Sequence, residues 1–97
     1  MFLRQTNFGF HQGRFEMVTA FADTLVSQME NTQGLHSISL MKVGEDRGQI
    51  LAFYKTKSDM EKGKGLYLNA FAGVSPWITL LPDAQEFEVD WMWEKLK

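Results

Sequence analysis

The stretch that decides the fold is "LHSISLMKVGEDRGQILAFYK", residues 35–55. Two runs rich in apolar and β-branched residues flank the polar segment "GEDRGQ" with its two glycines. Strand formers on either side of a short Gly-containing loop read as a β-hairpin. Lys42, Glu45, Asp46 and Arg47 cluster at its tip, where solvent can take up their charge.

Outward on the N-terminal side the period changes. Phe15, Val18, Ala22, Leu25, Val26 and Met29 follow steps of three and four, an apolar stripe roughly 100° wide on a helical wheel. This predicts an amphipathic helix over about Arg14–Asn31, with Gly34 as its stop signal. Outward on the C-terminal side, Ser58 with Glu61 three residues on reads as a capping box. The helix it opens contains Gly63 and Gly65. Each costs roughly 1 kcal/mol relative to Ala in a helix interior, so an irregularity is expected there. Ser75 and Pro76 then read as the cap and first position of a short helical segment that Pro82 stops.

The ends of the chain complete the pattern. In "MFLRQTNFGF", Phe2, Thr6, Phe8 and Phe10 share one parity, and Leu3, Gln5 and Asn7 the other, which predicts the first strand. The last strand is expected over about Gln85–Glu94, where Phe87, Val89, Trp91 and Trp93 alternate with Glu86, Glu88, Asp90, Met92 and Glu94. The order is β-α-β-β-α-β, the ferredoxin-like α+β arrangement: one antiparallel sheet with two helices on one face. The other face is then bare. A second copy of the chain, packed sheet against sheet through Phe87, Val89, Trp91 and Trp93, is expected to cover it.

Composition agrees with that reading. The 97 residues form one domain, 1–97. A monomer this small buries only roughly 60–65% of its unfolded surface. Yet 44% of the chain is hydrophobic and 13% aromatic, with eight Phe and three Trp. The surplus calls for a subunit interface, a ligand cavity, or both. A net charge of −2 gives no reason to expect nucleic acid or an anionic membrane as partner. Without Cys, a disulfide framework, a zinc finger and a thiol nucleophile are excluded. The N-terminus lacks the apolar run of a signal peptide and no stretch approaches membrane-spanning length, so a cytoplasmic protein is the default expectation.

Order and spacing together resemble the antibiotic biosynthesis monooxygenase family of the dimeric α+β barrel superfamily. "HQGRFEMVTAF" resembles the family's Gly-containing turn followed by an aromatic on the first helix. "NTQGLHSISLMKV" resembles its entry to the second strand, and "ILAFYKTKSDME" its third strand running into a capped helix. The resemblance implies a homodimer whose two sheets form a shared barrel, with a cavity in each subunit between sheet and helices. It also implies, for many members, oxidation of polycyclic aromatics or quinols by molecular oxygen with no metal or prosthetic group. Members commonly carry Trp where this chain has Tyr54, and a His on the second helix where this chain has none. A haem-degrading branch carries a helix Trp and a helix His; counted from Tyr54, the matching places hold Gly63 and Gly73.

The candidate site residues each have two readings. Asn7, among strand formers, either orients a phenolic oxygen in the cavity, as the resemblance implies, or bonds to local backbone. Tyr54 either donates a hydrogen bond into the cavity or is a core tyrosine with its hydroxyl at the surface. Tyr67, Phe71 and Trp77 either form an aromatic wall against a flat ligand or pack as ordinary core. Asn69 either helps polarise a ligand or is exposed on its helix. His36 is a substrate-binding candidate or a strand residue facing solvent; His11 reads as surface, and two isolated His make no metal site. "EKGKG" does not match a phosphate-binding loop. No serine carries a nucleophile-elbow pattern. The expected function is a cofactor-independent monooxygenase of an aromatic or quinol-like substrate, with Asn7 and Tyr54 catalytic and His36, Tyr67, Phe71 and Trp77 binding substrate. The alternative is a non-catalytic ligand-binding or structural homodimer of the same fold.

Overall fold

The computed structural model describes residues 1–95. Strand β1 (Phe2–Phe10) is followed by helices α1 (Phe15–Thr24) and α2 (Val26–Glu30), then strands β2 (Leu35–Gly44) and β3 (Arg47–Tyr54). Helices α3 (Lys57–Lys62) and α4 (Lys64–Val74), a 3-10 turn (Ser75–Trp77) and strand β4 (Ile78–Glu88) follow. The sheet has the order β2-β3-β1-β4 with every pair antiparallel. This is the expected α+β, ferredoxin-like layout. No helix among the described residues is long and apolar enough to cross a membrane.

Alternation sorts the sheet into two faces. Arg4, Thr6, Phe8, Ile38, Leu40, Ile50, Ala52 and Tyr54 point toward the helices. Phe8, Phe10, Val18 and Val74 make one buried cluster, and Ala52, Tyr54 and Met60 a second. The opposite face carries the cross-strand row Ser37–Phe53–Leu3–Phe87, with Leu51 beside Gln5 in the next row. Among the described residues neither buried cluster includes a side chain of that face, and Phe87 is 46% exposed.

Four local expectations are corrected. The helix over Arg14–Asn31 is two helices, broken at Leu25. Thr24 Oγ1 donates to the Phe21 carbonyl at 2.6 Å, a side-chain bond that competes with the helical ladder. The helical region ends at Glu30 with Asn31 as its cap, and Gly34, with φ 74°, serves the turn into β2 and is not the helix stop. The cap of α3 is Thr56, whose hydroxyl accepts from Asp59 N at 3.0 Å, and Ser58 lies inside the helix. The chain turns immediately after β3, where Lys55 N bonds the Gly34 carbonyl at 2.8 Å, so the earlier hydroxyl meets the free amides first. The expected break at the glycines falls at Gly63, between α3 and α4.

The third correction is the segment after Ser75. Only Ser75–Trp77 is helical, and β4 begins at Ile78. Ile78 and Thr79 are β-branched and favour a strand. Pro82 is tolerated within it because β4 is an edge strand and the β1–β4 register shifts between Asn7 and Gly9, opposite this stretch. The fourth is the C-terminal strand, which ends at Glu88 and not near Glu94. Val89 N donates to the Met1 carbonyl at 2.9 Å. Past this bond Trp91 and Trp93 lie outside the sheet and stand 82% and 70% exposed.

Candidate functional site

Between the helix-facing side of the sheet and α1, α2 and α4 lies a cavity of about 80 Å³. One water needs roughly 10–15 Å³ on that scale, so the cavity has room for a small ligand. Its walls are apolar except where β1 and β3 contribute Arg4, Thr6 and Tyr54 and α4 contributes Tyr67. Tyr67 and Phe71, one turn apart on α4, meet edge-on at 5.1 Å between ring centroids. Phe71 in turn meets Phe8 of the sheet at 5.6 Å.

Arg4 is the centre of this polar set and is 3% exposed. Its Nη2 donates to the Met60 carbonyl at 2.8 Å and to Glu86 Oε2 at 3.2 Å, and its Nε donates to the same oxygen at 3.3 Å. The guanidinium carbon lies 5.8 Å from the Tyr54 ring centroid and 5.4 Å from that of Tyr67, within the range of cation–π attraction. Nη1 is buried and has no partner among the described residues. A guanidinium offers five N–H donors, and leaving a buried donor unmet costs about 1–3 kcal/mol.

The two phenols are held neutral. Burial pushes the Tyr54 hydroxyl above its ordinary 10.0, and the neighbouring Arg4 charge only partly opposes this. Burial likewise raises Tyr67, again against the pull of Arg4. At neutral pH both are therefore hydrogen-bond donors and not bases. The fit of Tyr54 against α4 depends on Gly63, where a Cβ would run into the Tyr54 ring and hydroxyl.

The structure brings together three of the six residues expected from sequence: Tyr54, Tyr67 and Phe71. Asn7 is placed elsewhere. It has the opposite parity to Thr6 and Phe8, so it lies on the outer face, exposed, and accepts from Gln49 Nε2 at 3.1 Å. His36 is exposed at the start of β2, with Nε2 at 2.7 Å from Glu94 Oε2 of the C-terminal segment. Trp77 packs against the Phe8–Phe10 cluster beside the cavity and does not line it. His11 and Asn69 are exposed. Arg4 was the residue missed. The signal was present, since Arg4 shares the parity of Phe2, Thr6, Phe8 and Phe10 in β1.

No protein-family model matches the chain, and no curated protein matches it. Solved structures do. A candidate antibiotic biosynthesis monooxygenase from Nitrosomonas europaea superposes with a TM-score of 0.79 over 93% of this chain and 90% of its own, at 14% identity. The chain has the fold of the antibiotic biosynthesis monooxygenases. A mutant of SnoaB, a cofactor-independent oxygenase from Streptomyces nogalater, superposes with a TM-score of 0.75 over 97% of both chains, at 9% identity. A mutant of MhuD with two manganese protoporphyrin IX molecules bound per active site gives 0.76, covering 98% of this chain and 100% of its own, at 18% identity. Identities this low establish the antibiotic biosynthesis monooxygenase fold and nothing finer. The cavity walls of this chain do not suit a porphyrin. Neither histidine lines them, and at Gly63 and Gly73, beside the cavity, an added Cβ would run into the rings of Tyr54 and Phe21, so neither place can take a His or Trp without displacing those rings.

Proposed function

We propose that the protein is a cofactor-independent monooxygenase of a small aromatic or quinol-like substrate bound in the cavity between sheet and helices. The observation that carries this reading is a buried guanidinium, flanked by two neutral phenols, in an otherwise apolar cavity. Its likeness to the fold of a cofactor-independent oxygenase supports it. Tyr67 and Phe71 stack against the substrate ring. An acidic phenol or enol binds as its anion, having given its proton to solvent, and Arg4 and the Tyr54 hydroxyl stabilise the anionic oxygen.

In that state the carbanion passes one electron to oxygen, and the radical pair recombines to a carbon–oxygen bond. Protonation gives a hydroperoxide, and loss of water leaves a carbonyl. One oxygen atom stays in the product, the other leaves as water, and the substrate supplies the electrons. Asn7, His36 and Trp77 stand outside this scheme. The same reading takes the protein to be a homodimer joined through the outer sheet face, where Leu3, Leu51, Phe53 and Phe87 gather.

Oxygen uptake is measured with a panel of hydroquinones, anthrones and naphthols on protein shown to be free of metal and flavin. Consumption of a panel member above background is expected. Tyr54→Phe keeps the ring, removes one donor and should slow turnover by about tenfold. An inert panel sinks the oxygenase reading in favour of a binding or structural dimer.

A further inference from the structure

We propose that the cavity is a recognition site for a small planar aromatic bearing one anionic oxygen group, which the free Nη1 edge of Arg4 selects over its neutral isostere. The inference rests on the cavity of the preceding section, but it concerns binding and holds whether or not oxygen is turned over.

The argument starts from the cost of placing a guanidinium here. Arg4 is on β1, an inner strand of the sheet, under the helices, where the rest of its row is Ile38, Ala52 and Glu86. A buried cation persists only when paired and hydrogen-bonded. Glu86 meets the charge from one side, and the Met60 carbonyl takes a second donor. These contacts hold Nε and Nη2, and they fix the plane of the guanidinium between the Tyr54 and Tyr67 rings. They leave Nη1, in a residue that lines the cavity, without a partner among the described residues. A residue needed only for packing has no use for two unmet N–H groups in an apolar chamber. A carboxylate or phenolate oxygen satisfies them, and charge-assisted bonds of this kind are shorter and stronger than neutral ones.

The surroundings set the rest of the ligand. The remaining walls are aliphatic and aromatic, and Tyr67 and Phe71 present ring surfaces. Only one cation lines the chamber among the described residues, so a single anionic group is matched and a second would be buried unpaired. Glu86 is a positioning residue. It orients Arg4, and its own negative charge weakens the attraction for any anion there.

The test is calorimetric titration of the whole protein, without oxygen, using benzoate and the isosteric neutral amide benzamide as probes, with p-nitrophenol as a third. Benzoate is expected to bind at least about tenfold more tightly than benzamide. The p-nitrophenol pKa should fall on binding by about one unit or more, because the phenolate is the form Arg4 favours. Arg4→Met should abolish both effects while benzamide binding is kept. Glu86→Gln should tighten benzoate several-fold and leave benzamide unchanged, an effect a merely structural Glu86 would not produce. Equal affinity for benzoate and benzamide in the wild type, with an unshifted p-nitrophenol titration, overturns the proposal. That comparison and Glu86→Gln decide the matter even if Arg4→Met does not fold. Anion selection without oxygen uptake sinks the oxygenase reading alone; uptake without anion selection sinks this proposal and the role given to Arg4 in turnover, and leaves the oxygenase activity standing.

Discussion

Arg4 occupies a strand position that alternation reserves for apolar side chains, and its neighbours had to be shaped around it. Tyr54 is the closest case. It is 1% exposed, and its phenolate is penalised by burial more than the Arg4 charge relieves it. The folded state therefore holds the phenol proton more tightly than the unfolded chain does, and the same sign holds for Tyr67. Stability from these two groups is complete below pH 10.0 and is lost as pH rises above it through the folded values. Tyrosinate absorbance followed through an alkaline titration should show two residues ionising late, with the melting temperature falling in the same range. Two tyrosines titrating at their ordinary value would contradict the burial. A second residue-scale prediction concerns Gly34, which has φ 74° and whose missing Cβ would run into the Asp59 side chain. Gly34→Ala should cost more than about 1 kcal/mol, which lowers the melting temperature of a domain this size by about 4–8 °C or more.

At the scale of elements, sequence signals named the right kind of element more often than its ends. "TKSDME" offers two hydroxyls that could cap a helix. The structure uses Thr56. Thr56→Ala should destabilise the protein by about 1 kcal/mol, read as a lower urea midpoint. Ser58→Ala should leave the midpoint nearly unchanged, and the reverse ranking would restore Ser58 as the cap. The same limit explains "SPWITLLPD". Ser-Pro opens a helical turn as expected, but Ile78 finds an antiparallel partner in Phe10, and pairing along β1 outweighs three residues of local preference. Pro82 gave a stop signal for a helix that had already ended.

For the whole molecule, the outer face of the sheet carries the remaining prediction. Phe87 is 46% exposed beside Leu3, and Phe53 lies on the other side of Leu3 in the same row. In the proposed homodimer this row is covered, so Phe87→Glu should halve the mass measured by light scattering after gel filtration. Trp91 and Trp93 lie beyond the last strand, so Trp91→Glu tests whether the C-terminal segment joins the same contact. A wild-type protein that elutes as a stable monomer at micromolar concentration would falsify the dimer.

Periodicity along the chain determined the order β-α-β-β-α-β. Steps of two, and of three to four, are properties of the backbone that survive any packing, and they were legible in Phe2–Phe10, Phe15–Met29 and Leu35–Lys55. The aromatic half of the cavity was legible for the same reason, because Tyr67 and Phe71 sit one helical turn apart. Where β4 ends was decided by tertiary structure, since its extent follows its pairing with β1, from Ile78 opposite Phe10 to Glu88 opposite Phe2. The polar half of the cavity was decided there too. Asn7 and Arg4 are three residues apart on one strand, and a period of two sends them to opposite faces. Only the helices packed against one of those faces make Arg4 buried and leave Asn7 exposed. The contacts that hold the guanidinium come from Met60 and Glu86, 56 and 82 residues away along the chain, a convergence that no local spacing encodes.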